Sequence, residues 1–201
     1  MKYGLVKPGA LVPWQPSTWP PAPARWSAQF HKTFSQILQT AVLEEIGNVI
    51  QDARASNGDL KHRGHVVALS LFCAVDMASA YAYRDTARDA CRVCGRTDRV
   101  GPRYRRFIES HFPEAYRVHA AELYQNYRNS AVHSWHLFKV SILPGREPIE
   151  MQGGALVFGL VHFFEALQVA VEHFLAKLER DTELQATVLR RYQELHASAR
   201  A

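Results

Sequence analysis

Between Leu160 and Leu178 the apolar residues fall at Leu160, Phe164, Leu167, Val171, Phe174 and Leu178. The steps alternate between four and three, which predicts one long helix with a single apolar seam. Such a seam must be buried, either against the rest of the chain or against a second subunit. Other stretches keep the same spacing. Phe30, Phe34, Ile37, Ala41, Ile46 and Val49 predict a first helix over 27–56, with Ser27 as its N-cap and Asn57-Gly58 as its stop. Val66, Val67, Leu69, Phe72, Val75, Met77 and Tyr81 predict a second over 64 to about 93. Gly101-Pro102 breaks the chain before a short helix over 103–112, and Pro113 opens a third main helix as an N1 proline. The seam helix runs from 155 to about 179, and Leu184, Val188, Tyr192 and Leu195 predict a last helix over 182–197. The one β-like interruption is HLFKVSIL (136–143), a turn at Pro144-Gly145, and EPIEMQ, ended by Gly153-Gly154. The expected fold is all-α, a helical bundle of about five helices with a small β-hairpin after residue 135.

At 201 residues and 47% hydrophobic content, the chain suits one domain with a real core. Residues 1–25 read as an N-terminal extension and 26–201 as a single helical domain. The stretch PWQPSTWPPAPARW carries five prolines and three tryptophans. Proline blocks helix, and tryptophans this dense need cover, so Trp14, Trp19 and Trp26 are expected to strap the extension onto the bundle. The alternative is a docking peptide for an aromatic groove. A net charge of +5 permits a polyanionic partner without demanding one. No basic n-region followed by an apolar run opens the chain, and the three cysteines make an odd count. Both favour a reducing cytoplasm over a secreted disulfide scaffold. The least charged run, 66–83, has Asp76 in its middle and reads as a core helix, not a membrane span.

Asp76 is the most costly residue in that helix, because a buried carboxylate needs a partner. It is expected either to tie helices in register or to orient a catalytic residue. Further on, Arg84, Arg88, Arg92 and Arg96 recur every four residues, a stripe that can track an RNA backbone or stand as a solvated face. Within it, Cys91 and Cys94 form half of a zinc knuckle. Cys73, His111 and His119 supply no second matching pair, so no metal and no cofactor is expected.

The densest chemistry lies in YQNYRNSAVHSW (124–135). Arg128 grips phosphate with a bidentate fork. His133 titrates near neutrality and can carry a proton, and Asn129 can orient either. On an ideal helix Arg128 and His133 diverge by roughly 140°. Either the arginine stem comes round, the helix deforms, or the pair faces a second chain. Tyr124 and Tyr127 belong to the buried side of this helix, and either can also flank a base.

Arg-Asn-x3-His at the end of a helix rich in Leu and Tyr, with its flanking ELYQNYRN, resembles the Arg-x4-6-His motif of HEPN domains. The resemblance extends as a pattern over about residues 60 to 195. It implies a small helical bundle, usually dimeric, and in many members a metal-independent endoribonuclease. Under that resemblance Arg128, Asn129 and His133 are the catalytic set, with Asp76, Tyr124 and Tyr127 in support. RNA is then the partner and a homodimer the expected assembly. The alternatives are a non-catalytic domain that binds a nucleotide, RNA or a protein partner, and a structural role in which Arg128 pairs with Asp76. The hairpin after the motif departs from the family pattern, whose helices usually run straight on.

Overall fold

The structure is a computed structural model and describes residues 21–57, 64–84, 100–129, 131 and 148–198. Its elements are α1 (Ala28–Gln36), a first π-helical segment (Ile37–Glu44), α2 (Glu45–Asn57), α3 (Gly64–Ala82) and α4 (Val100–His111). Then come α5 (Glu114–Arg117), α6 (Ala120–Glu122), a second π-helical segment (Leu123–Arg128), β1 (Ile149–Gln152), β2 (Ala155–Phe158), α7 (Leu160–Arg180) and α8 (Thr182–Ser198). The fold is an all-α bundle with one small antiparallel hairpin, as the periodicity predicts.

α3 lies at the centre, packed against α2, α4, α7 and α8. That position explains its composition: Val67, Ala68, Leu71, Phe72, Val75 and Ala78 are buried on several sides at once. It is long and apolar enough to span a bilayer, and most of it is buried within the chain. Around it the large rings meet edge to face, as Phe34 does with Tyr81 and Phe174, and Phe107 with Phe174. The α7 seam is spent inside this core. Leu160, Leu167, Phe174 and Leu178 are fully enclosed by their own chain, Val171 is buried, and Phe164 is half-buried. The seam is therefore not an apolar surface left for a second subunit.

Ser27 caps α1 as expected, its Oγ accepting from the Phe30 amide at 3.1 Å. Just before it, Trp26 packs edge-on against Phe30, and the Pro23 carbonyl accepts from Gln193 Nε2 at 2.7 Å. Trp14 and Trp19 lie outside the described residues. In the first π-helical segment the Thr40 hydroxyl donates to the Gln36 carbonyl at 2.8 Å, a side-chain bond that competes with the helical ladder.

Several boundaries differ from expectation. α3 stops at Ala82 instead of running to about residue 93. The reason is distant in sequence: Arg191 of α8 donates from Nε to the Ala80 carbonyl at 2.8 Å, occupying the acceptor that a continuing helix would use. Gly101 and Pro102 do not break the chain ahead of α4 but lie in its first turn, where proline removes an amide that has no helical acceptor. Pro113 sits at the N-cap of α5, not at N1, and the third main helix is interrupted at Val118 and His119 before α6. The described hairpin also lies later than expected. EPIEMQ supplies its first strand, and Gly153-Gly154, at φ 55° and 78°, is its turn, not its end. Two successive left-handed residues make the tight reversal that twisted strands favour. Residues 136–143 lie outside the described part. β2 takes the residues expected to begin the seam helix, which starts at Leu160 instead.

At the far end, Asp181 both ends α7 and caps α8. Its Oδ1 accepts from the Leu184 amide at 2.9 Å, while Gln185 Nε2 donates back to the Leu178 carbonyl at 2.9 Å.

Candidate functional site

Arg128 is the last residue of the second π-helical segment, and Asp76 projects from the middle of α3 toward it. Arg128 Nε and Nη2 both reach Asp76 Oδ2 at 2.6 Å. Nη1 donates to Asn129 Oδ1 at 3.2 Å. The guanidinium carbon lies 5.9 Å from the centroid of the Tyr124 ring, a cation–π approach. The side chains of Arg128 and Asp76 are 12% and 17% exposed, so the pair sits at the edge of the core.

Desolvation pushes the Asp76 carboxyl above its ordinary value, opposed by the Arg128 hydrogen bond and charge and by the charge of Arg103. The geometry explains why desolvation wins. Both donors go to Oδ2, while Oδ1 is buried without a hydrogen-bond partner. Tyr104, fully buried on α4, has a hydroxyl in the same condition. Its burial, with the Asp76 charge nearby, holds the phenol well above its usual range, so it stays neutral.

The π-helical turn positions the arginine. The Asn129 amide donates to the carbonyl of Tyr124, five residues back. This widens the turn by one residue relative to an α-helix. The helix thus deforms at the place where Arg128 and His133 diverge on an ideal one. His133 itself lies outside the described residues. Tyr127 and Tyr124 part company here. Tyr127 is buried, and its hydroxyl donates to the Leu156 carbonyl at 2.5 Å, so it is a core residue and cannot flank a base. Tyr124 is half-buried, with its ring against Tyr104 at 5.5 Å and over the backbone of Gly101. A Cβ on Gly101 would stand 2.8 Å from Tyr124 Cε1.

No family model matches the chain, and no curated protein or solved structure matches it either.

Arg84 lies past the end of α3 and pairs with Glu194 at 3.4 Å, beside the contact that Glu194 makes with Arg191 at 2.7 Å. In the structure it takes part in the closure of α3 by α8. Arg88, Arg92 and Arg96 lie outside the described residues, as do Cys91 and Cys94. Among the described residues, no three His, Cys, Asp or Glu side chains converge as metal ligands would.

The sequence reading does not connect Cys73, Gly101, Arg103 or Tyr104 with this site. Cys73 is exposed one turn before Asp76, and burial of the sulfur together with the Asp76 charge raises its pKa, which favours the thiol over the thiolate. Its spacing of three from Asp76 was a readable signal. Gly101, Arg103 and Tyr104 carried none, because only the packing of α4 on Tyr124 brings them in.

Proposed function

We propose that this chain is a HEPN-like helical domain acting as a metal-independent endoribonuclease, with Arg128, Asn129 and His133 as its working set. One observation carries the reading. Asp76 holds Arg128 by two nitrogens and turns the third toward Asn129, at the edge of the core, on a π-helical turn. Deformed turns of this kind recur at functional sites, and an oriented guanidinium is what phosphate recognition needs. In the proposed reaction His133 takes the proton of a ribose 2′-hydroxyl. The 2′-oxygen attacks phosphorus to form a 2′,3′-cyclic phosphate, and the bond to the 5′-oxygen breaks as that oxygen takes a proton from solvent to leave as a hydroxyl. The His133 imidazolium returns its proton to solvent, and Arg128 offsets the charge that gathers on the phosphoryl oxygens. A homodimer that lines one cleft with both copies of the set would aim an arginine and a histidine at one phosphate. Since the α7 seam is consumed by the core, such a dimer must use another face.

A second reading stands on the same pair. Each Arg128 nitrogen already has an acceptor, so the arginine can be an anchor that neutralises Asp76 inside a non-catalytic domain that binds a nucleotide, RNA or a protein. The experiment that separates the two is incubation of the pure protein with mixed RNA in EDTA, beside His133→Ala and Arg128→Ala, with light scattering on each sample. The ribonuclease reading expects cleavage by the wild type alone, from a dimer. Equal cleavage by wild type and His133→Ala would retire it in favour of the anchor.

A further inference from the structure

Two polar atoms beside Arg128 are buried without a hydrogen-bond partner, Asp76 Oδ1 and the Tyr104 hydroxyl. Tyr104 is fully enclosed on α4, which packs on both α3 and the second π-helical segment, the elements that carry Asp76 and Arg128. Its ring lies 5.5 Å from that of Tyr124, which takes the Arg128 guanidinium over its face. Burial raises the Tyr104 phenol most and the Asp76 charge next, so the carboxylate lies within electrostatic reach of the hydroxyl. A hydroxyl that has left water normally gains a partner in exchange. Here a donor without an acceptor sits close to an acceptor without a donor. Arg128, by contrast, is heavily engaged. Nε and Nη2 go to Asp76 Oδ2, and Nη1 goes to Asn129 Oδ1. A phosphate that takes the Nη1–Nη2 fork competes with Asp76 for Nη2 and with Asn129 for Nη1. The guanidinium is then shared between two anions, and Asp76 loses part of its neutralisation at the edge of the core.

We infer that Tyr104 is a positioning residue of the phosphate site, its hydroxyl being the donor that Asp76 takes when a phosphate draws Arg128 Nη2 away. The carboxyl turns about a terminal torsion with broad wells, so one oxygen can come to the hydroxyl while the other keeps Nε. This role rests on the reading of Arg128 as the phosphate-binding residue, and it supplies the exchange that frees the arginine from its tie. Cys73, one turn before Asp76 on α3, is a poorer substitute, because a thiol donates weakly. Two consequences separate this role from plain packing. In the free protein the hydroxyl bonds to nothing, so Tyr104→Phe deletes a desolvated group, keeps the ring and leaves the fold no less stable. In the phosphate-bound protein the same change leaves Asp76 without its replacement donor, so affinity falls. A loss of affinity with no loss of stability is what packing alone does not produce.

The test reads the fluorescence anisotropy of a labelled RNA of about ten nucleotides, with 2′-O-methyl groups throughout so that no 2′-hydroxyl can attack. The proteins are the wild type, Tyr104→Phe, Arg128→Gln, whose amide can still donate to Asp76, and the double variant. Each is also unfolded in urea. The expected result is roughly tenfold weaker binding by Tyr104→Phe, the loss of one hydrogen bond to a charged group, with a urea midpoint no lower than that of the wild type. In the Arg128→Gln background the same change should leave affinity unmoved, since Tyr104 acts through the arginine. Equal binding by Tyr104→Phe and wild type, a lower midpoint for Tyr104→Phe, or a further loss of affinity in the double variant would each overturn the role of Tyr104 and leave Arg128 as the phosphate residue. No binding by the wild type, or equal binding by Arg128→Gln, would overturn the reading of Arg128 and the role of Tyr104 with it.

Discussion

The Tyr127 hydroxyl donates to the Leu156 carbonyl, tying the turn that carries Arg128 to the second strand of the hairpin. The two residues are 29 apart in sequence, and both are buried. The hairpin is thus more than a decoration on the bundle. It clamps the deformed turn from one side while Asp76 holds it from the other.

Tyr127→Phe removes that clamp without changing ring packing. The Leu156 carbonyl loses a donor inside the core, so the variant should be less stable by about 1–3 kcal/mol. Urea unfolding measures it, with an unchanged slope and a lower midpoint. An unmoved midpoint would mean that the hydroxyl bond adds nothing to stability.

Much of this arrangement was legible in the sequence, and the unread part has a common cause. A carboxylate in the middle of the most apolar helix demanded a partner, and Arg128 was a stated choice. Ser27 three residues before Phe30 announced its own cap. The end of α3 was invisible because its capping side chain, Arg191, lies 111 residues away. Gly153-Gly154 reads in the sequence as the end of a sheet, and in the structure it is the turn between β1 and β2. The π-helical segments have no periodic signature of their own, and Tyr127 looked like its neighbour Tyr124 until the hairpin carbonyl chose between them.

Acid should weaken the fold through His111. This imidazole is buried between Phe107, Phe174 and His173, with Nε2 sharing a hydrogen bond with the Tyr83 hydroxyl at 2.9 Å. Burial, then the charges of His173, Lys177 and Arg117, lower its pKa to about 3 from an ordinary 6.5. The unfolded chain binds the proton below 6.5 and the folded chain does not. Stability from this residue is therefore complete above pH 6.5 and lost as pH falls toward 3. Asp76 acts with the opposite sign. Its raised pKa gives stability that is present below 3.8 and lost as pH rises through the folded value. Thermal unfolding of wild type and His111→Gln across pH 7 to 4 should show a wild-type advantage that shrinks on acidification. A gap that stays constant over this range would contradict the buried neutral imidazole.

Gly101→Ala should disturb Tyr124 specifically. The added methyl would stand 2.8 Å from Cε1 and 3.0 Å from Cζ of the ring, closer than such atoms pack. Relief requires the ring to swing away from Tyr104 or α4 to shift on the second π-helical segment. Overpacking of this kind costs about 1–3 kcal/mol, partly offset by the better helix propensity of alanine. The cost should vanish in a Tyr124→Ala background, where the colliding atoms are gone. A cost that persists there would place the strain elsewhere in α4.

The Asp76–Arg128 pair gives the sharpest prediction, because its two proposed roles separate in a double-mutant cycle. Either single change, Asp76→Ala or Arg128→Ala, leaves a charge at the edge of the core without its partner. For a fully buried pair this costs about 3–5 kcal/mol, and at 12% and 17% exposure the solvent should reduce it. The double variant removes both charges, so it should be less destabilised than the sum of the singles, with a coupling of about 1–3 kcal/mol. Unfolding of the four proteins in urea gives that number, and additive costs would show that the 2.6 Å contacts contribute no coupling. RNA cleavage measured on the same four proteins, at a temperature where all are folded, then divides function from fold. If Asp76 only orients Arg128 toward phosphate, Asp76→Ala should lose part of the activity, and Arg128→Ala as much as the double variant. Activity that survives in Arg128→Ala would leave the pair as a structural tie alone.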